Sequence, residues 1–221
     1  MLYGVGVGPG DPELLTIKAA RLLSEADIVA VPDKGGGEKT AMNIVREHIE
    51  GKELLYCETL MTRDREILER GYDKIADDVA EKLNAGKMVV FITLGDPTVY
   101  STYVYVHKRI LERGYAAQIV PGVTSFCAVA ARLNIPLCEG SERLLVVPAS
   151  HDSADTLDFP ANKVYMKAGS GIMELKEQLL ERGKQASMVE NCGMDDERVY
   201  ESLDELTEPS GYFSVVIVKD S

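Results

Sequence analysis

The segment "MLYGVGVGPGDPELLTIKAARLLSEADIVAVP", residues 1–32, decides the fold of this chain. It begins with a short apolar run that ends in glycines, which is typical of a buried strand. Residues 16–26 are predicted to form a helix with Thr16 as its N-cap, and residues 27–32 a second strand. The predicted buried face of the helix consists of Ile17, Ala20 and Leu23. A strand, a helix and a strand in succession indicate a mainly parallel α/β sheet.

The same alternation continues as far as residue 120. Residues 88–94 are apolar throughout, as expected for a strand that is covered on both faces. The loop at residues 33–40 contains three consecutive glycines and is predicted to be mobile. Further strands are predicted at 53–57 and 117–120, and helices at 41–49, 65–86 and 104–114. The helix at 65–86 has the clearest period, in Ile75, Val79 and Leu83.

The second half of the chain contains more strands per residue. A helix is predicted at about 124–133 and another near 172–182. Strands are predicted at 143–148, 163–167, 185–190 and 212–218. We therefore expect two α/β domains, residues 1–118 and 122–221, joined by a linker near 118–122.

Composition and charge limit the classes of function. The net charge of −12 argues against nonspecific nucleic-acid binding, which needs a basic surface. No apolar run approaches the roughly 20 residues that span a membrane, and no signal peptide is evident, so a cytoplasmic protein is expected. The cysteines form no C-x-x-C pair, so neither a metal site nor a disulfide is expected, and they are interpreted as small buried side chains. The histidines are scattered, and none is predicted to be catalytic.

Three loops rich in glycine and proline each follow a predicted strand. They are residues 4–12, 95–97 and 120–125, and the first two share the sequence Gly-Asp-Pro. The first loop fits neither frame of the G-x-G-x-x-G fingerprint, and no loop ends in the G-K-[ST] of a Walker motif. One such loop could be only a tight turn. Three at the carboxyl ends of parallel strands predict a ligand site, and because they lack Lys and Arg they suit ribose and amino-acid groups better than polyphosphate.

These motifs resemble those of a known family. Residues 5–32, LGDPTVYST (94–102) and VPGVTS (120–125) resemble the three hallmark motifs of the tetrapyrrole methylases, which use S-adenosylmethionine. The likeness extends to VYMKAG (164–169) and MVENCGM (188–194). With the pattern of the opening, the closing GYFSVVIV resembles the branch that methylates C20 of precorrin-2 or cobalt-factor II in corrin biosynthesis. The resemblance implies two α/β domains with the active site in the cleft between them, and a homodimer.

The resemblance also implies a set of site residues. The implied cofactor-binding residues are Leu94, Gly95, Asp96, Val99, Thr124, Ser125, Met166 and Gly193. The implied substrate-side residues are Pro9, Lys34, Lys39 and Tyr100, where the lysines would meet carboxylates of the tetrapyrrole. Arg63, Arg65 and Arg132 are further candidates for this role. No catalytic base is identified, and Asp96 is interpreted as a loop-bonding and cofactor-contacting residue.

Several readings remain open at the level of the sequence. Inside the family they are methylation at another ring position, a uroporphyrinogen III methylase, or a relative that acts on protein or RNA. Outside it they are a nucleotide-dependent oxidoreductase, which the failed fingerprint disfavours, and a non-catalytic binding protein. Whether the substrate ring already holds cobalt is also open.

Overall fold

The computed structural model describes residues 1–33, 39–60, 62, 64–149 and 154–220. The chain divides into two compact units, Met1–Thr124 and Ser125–Ser221. The boundary between the units lies after Thr124, just C-terminal to the linker that the sequence predicts near residues 118–122. The strand at 117–120 pairs within the first unit. Within the described residues, no helix has the length and apolar character needed to cross a membrane.

The first unit is built on a parallel sheet. Its described strands are β1 (Leu2–Gly6), β2 (Ile28–Asp33), β3 (Glu53–Glu58), β4 (Val89–Thr93) and β5 (Ala117–Val120). They lie in the order β3-β2-β4-β1-β5. The described helices are α1 (Ile17–Glu25), α2 (Thr40–Ile44), α3 (Arg65–Asn84) and α4 (Tyr103–Glu112). The predicted parallel sheet is therefore confirmed, and the carboxyl ends of all these strands share one edge.

Apolar cores cover both faces of the first sheet. One core contains Leu22 and Leu23 of α1, and the other contains Ile75 and Val79 of α3. Every residue of β4 is buried between them. This arrangement explains why residues 88–94 carry no polar alternation.

The buried face of α1 differs from the prediction. Thr16 caps the helix as expected, because its hydroxyl accepts the N–H of Ala19 at 3.1 Å. Ile17, however, is 90% exposed, and the buried side chains are those of Ala19, Leu22 and Leu23. At about 100° of rotation per residue, Ile17 lies on the side of the helix opposite to this set. The helix predicted at 41–49 is also shorter, since α2 ends at Ile44 and a 3-10 turn follows at Arg46–His48.

The second unit is built on a mixed sheet. Its described strands are β6 (Leu144–Pro148), β7 (Asn162–Met166), β8 (Ala186–Glu190), β9 (Arg198–Tyr200) and β10 (Ser214–Val218), in the order β6-β7-β10-β8-β9. Because β10 is antiparallel to both β7 and β8, and β6 is parallel to β7, the carboxyl ends of β6, β7 and β8 share one edge. The described helices are α5 (Ser125–Arg132) and α6 (Ile172–Glu181). The sequence analysis missed β9, which has only three residues and no fully buried side chain.

Candidate functional site

The three glycine loops of the first unit meet at the carboxyl edge of its sheet. The first and second loops exchange backbone hydrogen bonds, Gly8 N–H to Gly95 O at 3.3 Å and Gly95 N–H to Gly8 O at 2.7 Å. The third loop joins them through Gly122, whose N–H donates to Asp96 Oδ2 at 2.9 Å. The convergence predicted from the sequence is therefore confirmed.

Glycine is required where these loops cross. A Cβ atom on Gly6 would lie 2.5 Å from the carbonyl oxygen of Gly95 and 2.7 Å from the nitrogen of Gly122, which is closer than packed atoms come. A Cβ atom on Gly122 would in turn clash with the carbonyl oxygen of Gly95 and the backbone of Gly6. Gly4 has a different reason, since a Cβ there would overlap the ring of Tyr103. These glycines thus serve contacts between parts of the protein.

Asp96 fastens the second loop to itself and to the third loop. Its side chain is 7% exposed. Oδ1 accepts the N–H of Thr98 at 2.7 Å, and Oδ2 accepts the N–H of Gly122. Gly95 lies beside it at φ +68°, a conformation that favours glycine. With both oxygens engaged, Asp96 is placed to shape the site, which agrees with its interpretation as a loop-bonding residue.

The other predicted residues of the first unit differ in exposure. Pro9 is buried, and Leu94 packs against the core. Val99 is half-buried, whereas Tyr100 is 47% exposed and has φ +48°, which is unusual for a side chain of its size. Tyr103 is fully buried, and Tyr105 stacks on Tyr72 with ring centroids 4.8 Å apart, so both are packing residues.

The buried hydroxyl of Thr124 bears on whether these residues suit a bound cofactor. Its Oγ1 is buried and has no hydrogen-bond partner among the described residues. A buried hydroxyl without a partner costs about 1–3 kcal/mol, so a ligand that offers a donor or acceptor there would be favoured. The loops around it are rich in glycine and proline and contain no Lys or Arg, which suits the ribose and amino-acid groups of S-adenosylmethionine.

Two predicted site residues of the second unit lie at the edge shared by β6, β7 and β8. Met166 ends β7 and is 8% exposed. Gly193 follows β8 at φ +77°, and its N–H donates to Glu197 Oε2 at 2.8 Å. Ser125, in contrast, is the first residue of α5. Beside Gly193, Asn191 adopts φ +52°, and its N–H donates to the carbonyl of Phe213 at 3.1 Å.

Glu197 ties α5 to the loop that contains Gly193. Its Oε1 accepts from Arg132 Nε at 2.5 Å. Burial alone would raise the pKa of Glu197, but the N–H of Gly193 and the guanidinium of Arg132 hold that pKa below its ordinary value. Arg132 is therefore engaged in an ion pair within the protein, so the suggestion that it meets a substrate carboxylate loses support.

The remaining predicted cations have mixed outcomes. Lys39 forms an ion pair with Asp33 at 3.0 Å, and its Nζ lies 3.7 Å from the ring centroid of Tyr56. Arg65 is exposed at the start of α3. Lys34, Arg63 and the three glycines of the loop predicted to be mobile lie outside the described residues.

One functional candidate was missed by the sequence analysis. Lys167 directly follows Met166 at φ +59°, and burial lowers the pKa of its ammonium group. Its position after a strand-end motif was a usable signal, whereas its burial is visible only in the fold.

The cysteines form no metal site among the described residues, where no group of three or more His, Cys, Asp or Glu side chains is placed to hold an ion. Cys57 and Cys192 are buried as expected, and burial raises the pKa of the Cys57 thiol to about 12. The expectation fails for Cys127, which is exposed on α5, and for Cys138, which is half-buried.

Comparison with known proteins places these features in one family. Residues 1–207 match the family described as Tetrapyrrole (Corrin/Porphyrin) Methylases. A probable cobalt-precorrin-2 C(20)-methyltransferase of Methanocaldococcus jannaschii is 36% identical over 99% of this chain and 95% of its own length. The cobalt-precorrin-2 C(20)-methyltransferase of Salmonella typhimurium is 34% identical over 98% of this chain and 95% of its own length.

Solved structures share the fold. The uroporphyrin-III C-methyltransferase of Thermus thermophilus, in complex with S-adenosyl homocysteine, superposes with a TM-score of 0.73 at 24% identity, covering 98% of this chain and 96% of that one. A cobalt precorrin-4 methyltransferase gives a TM-score of 0.75 at 19% identity, covering 98% and 93%. From the family match and the two C(20)-methyltransferase relatives, this chain belongs to the tetrapyrrole (corrin/porphyrin) methylases.

Proposed function

We propose that this chain transfers a methyl group from S-adenosylmethionine to C20 of cobalt-precorrin-2, a step of cobalamin biosynthesis. The relatives named for this activity match nearly the whole chain and nearly the whole of themselves. Relatives named for other reactions match less: a cobalt-precorrin-4 C(11)-methyltransferase covers 62% of the chain, and a siroheme synthase is 28% identical. The cobalt-containing substrate is preferred because the relative named as a precorrin-2 C(20)-methyltransferase is 30% identical to this chain, whereas the two named for cobalt-precorrin-2 are 36% and 34% identical.

The observation that carries the donor site is the joining of three loops by Asp96 and by the Gly8–Gly95 hydrogen bonds. When bound, S-adenosylmethionine supplies a methyl group on a positively charged sulfur. The sulfur leaves as a neutral thioether, so no acid is needed to protonate the leaving group. The contribution of the protein is to bind and align the reacting groups and to exclude water. The proposed binding residues are Leu94, Gly95, Asp96, Val99, Thr124, Ser125, Met166 and Gly193.

Asp96 is assigned to shaping the donor site rather than to proton transfer. Addition of a methyl group at C20 requires that this carbon then lose a proton. Both carboxylate oxygens of Asp96 already accept backbone N–H groups, and the side chain is almost fully buried. Each carboxylate oxygen has two lone pairs, so the argument rests on access: a residue that is 7% exposed and anchors two loops is poorly placed to reach the proton of a substrate carbon.

On the substrate side, the proposal includes Pro9, Lys34, Lys39 and Tyr100. Tyr100 has the strongest support, because an exposed aromatic side chain in a left-handed conformation is costly and such strain concentrates at functional sites. Lys39 would have to exchange Asp33 for a substrate carboxylate.

The deciding experiment is incubation of the purified chain with S-adenosylmethionine and either cobalt-precorrin-2 or metal-free precorrin-2. Mass spectrometry should detect one added methyl group, carbon NMR should locate it at C20, and the cobalt form should react faster. Methylation of another ring carbon, or of uroporphyrinogen III alone, would replace this proposal with a different methylase. Faster reaction of the metal-free form would overturn only the choice of substrate.

A further inference from the structure

Glu197 is a mostly buried carboxylate that joins two separate elements of the second unit. It belongs to the Gly193 loop (residues 191–197), which connects β8 to β9, and its side chain is 19% exposed. Its Oε2 accepts the N–H of Gly193 at 2.8 Å, and its Oε1 accepts from Nε of Arg132 at 2.5 Å. Arg132 is the last residue of α5, 65 positions away along the chain. One oxygen therefore shapes the loop, and the other fastens the loop to α5.

The middle of the Gly193 loop depends on such contacts for its conformation. The strands on either side pair antiparallel at Glu190 and Arg198, so the ends of the loop are fixed, but the loop itself contains no helix or strand. Gly193 adopts φ +77°, a conformation for which glycine has little preference of its own. A bond of 2.7 Å from Asn191 Nδ2 to Asp196 Oδ2 joins loop residues only to one another. The pair of Glu197 with Arg132 thus supplies an attachment to a neighbouring helix.

The surroundings of Glu197 distinguish this pair from an ordinary surface ion pair. Exposed pairs usually contribute little to stability, and Arg132 is 53% exposed. The carboxylate of Glu197, however, is mostly buried and also accepts a backbone N–H. Burial would raise its pKa, but the N–H of Gly193, the guanidinium of Arg132 and the thiol of Cys192 together hold that pKa below its ordinary value. The group is therefore charged near neutral pH, and its partners are complete only while the loop stays against α5.

The two elements that Glu197 joins each carry a residue that we propose to bind S-adenosylmethionine. Ser125 is the first residue of α5, and Gly193 lies in the loop. A ligand that contacts both elements needs them in a fixed arrangement. A protein that holds them so in advance loses less conformational freedom on binding, and its affinity for the ligand is higher.

We propose that Glu197 is a positioning residue for S-adenosylmethionine, which acts through Arg132 by holding the Gly193 loop against α5 in the conformation that binds the cofactor. The inference rests on the proposed function and deepens it. It gives Arg132 a role in donor binding, in place of the contact with a substrate carboxylate that the sequence suggested.

The first test measures cofactor affinity by isothermal titration calorimetry. Glu197→Ala should raise Kd for S-adenosyl homocysteine tenfold or more, and Arg132→Ala about fivefold. Arg182→Ala is the matched control, because it removes the same side chain from an ion pair with Asp158 just after α6, at the opposite end of β8. The control should change Kd less than twofold. An unchanged Kd in Glu197→Ala, or an equal rise in Arg182→Ala, would overturn the inference.

Kinetics distinguish positioning of the cofactor from a general loss of structure. In Glu197→Ala, KM for S-adenosylmethionine should rise with Kd, while kcat and KM for cobalt-precorrin-2 stay within twofold. Because the two residues act as one pair, Arg132→Ala should cost little further affinity in the Glu197→Ala background. Equal costs of Arg132→Ala in the two backgrounds, or a fall in kcat with unchanged KM, would contradict the positioning role.

A fluorescent reporter follows the loop itself, which keeps the inference testable if a variant binds too weakly for calorimetry. The chain contains no tryptophan, so Asp195→Trp places a single fluorophore at an exposed position of the Gly193 loop. Its steady-state anisotropy should fall when Arg132→Ala is added and stay the same when Arg182→Ala is added. Equal anisotropy in all three proteins would mean that the pair does not hold the loop, and would overturn the inference.

The methylation assay separates this inference from the proposed function. Methylation at C20 by the wild-type chain, with unaltered binding of S-adenosyl homocysteine in Glu197→Ala, would support the reaction and reject the positioning role. Weaker binding in Glu197→Ala, with no methylation at C20 by the wild-type chain, would support the positioning role and reject the reaction. Absence of binding by the wild-type chain would reject both.

Discussion

At the scale of single residues, replacement of Asp96 is expected to disturb the donor site without removing a catalytic group. Asp96→Ala deletes the acceptors for the N–H groups of Thr98 and Gly122, so the second and third loops lose their shared anchor. We expect binding of S-adenosyl homocysteine to weaken at least tenfold, which corresponds to about 1.4 kcal/mol or more. Isothermal titration calorimetry measures this change directly.

The control for this prediction is Asp77→Ala. The Asp77 side chain is 71% exposed and pairs with Arg113 on the surface, so its loss should leave the affinity unchanged. Gly95→Val should weaken binding as Asp96→Ala does, because valine is strained at a φ of +68°. Unchanged affinity in both Asp96→Ala and Gly95→Val would reject the donor site.

At the scale of elements, β1 and α4 pack closely because residue 4 of β1 has no side chain. The ring of Tyr103 occupies the space where residue 4 would otherwise carry a Cβ atom. Gly4→Ala should therefore lower the free energy of unfolding by about 1–3 kcal/mol, the usual cost of overpacking a core. Thermal or urea denaturation measures the loss.

A second substitution checks the cause of that loss. In a Tyr103→Leu background the ring is gone, so the further change Gly4→Ala should cost much less than it does in the wild-type chain. Equal costs in the two backgrounds would mean that the glycine is required for a reason other than the ring.

The link between α5 and the Gly193 loop should make stability depend on acid. The pKa of Glu197 in the folded chain lies below its ordinary value of 4.5. Folding therefore favours the deprotonated form, so the stabilisation is complete above about pH 4.5 and is lost as the pH falls through the folded pKa. As the pH falls from 6 into the range where acid unfolds the protein, the free energy of unfolding should drop less in Glu197→Gln than in the wild-type chain. Parallel curves for the two proteins would contradict this origin.

At the scale of the whole molecule, we propose a homodimer, on the strength of the family resemblance, and a cytoplasmic location. Sedimentation of the purified chain should give about twice the monomer mass of 24.2 kDa. A monomer at every concentration tested would refute the dimer, and recovery of the protein with membranes after cell fractionation would refute the location.

The sequence predicted those parts of the molecule that depend on local pattern. The strand-end glycine loops were found because Gly-Asp-Pro recurs after apolar runs, and their meeting followed from the parallel sheet. The prediction of the buried face of α1 was wrong because it relied on apolar residue type, and Ile17 is apolar yet lies opposite the core. Arg132 was predicted to meet a substrate carboxylate, but in the fold it pairs with Glu197. The sequence could not show this ion pair, because the two residues are distant along the chain.

Lys167 and Glu190 show a second limit of the sequence. Neither departs from an ordinary strand-end residue in type or spacing. Their contacts are visible only in the fold, where Glu190 accepts the N–H of Gly211 and Lys167 Nζ lies 5.8 Å from the centroid of the Tyr212 ring.

The interlocked loops of the first unit also bear on how such enzymes can be re-engineered. Each loop completes hydrogen bonds or fills space for its neighbours, through Gly8, Gly95, Asp96 and Gly122. A chimera that imports a single loop from a methylase of another ring position would inherit mismatched partners. Exchange of regiospecificity is therefore expected to succeed when all three loops are transplanted together.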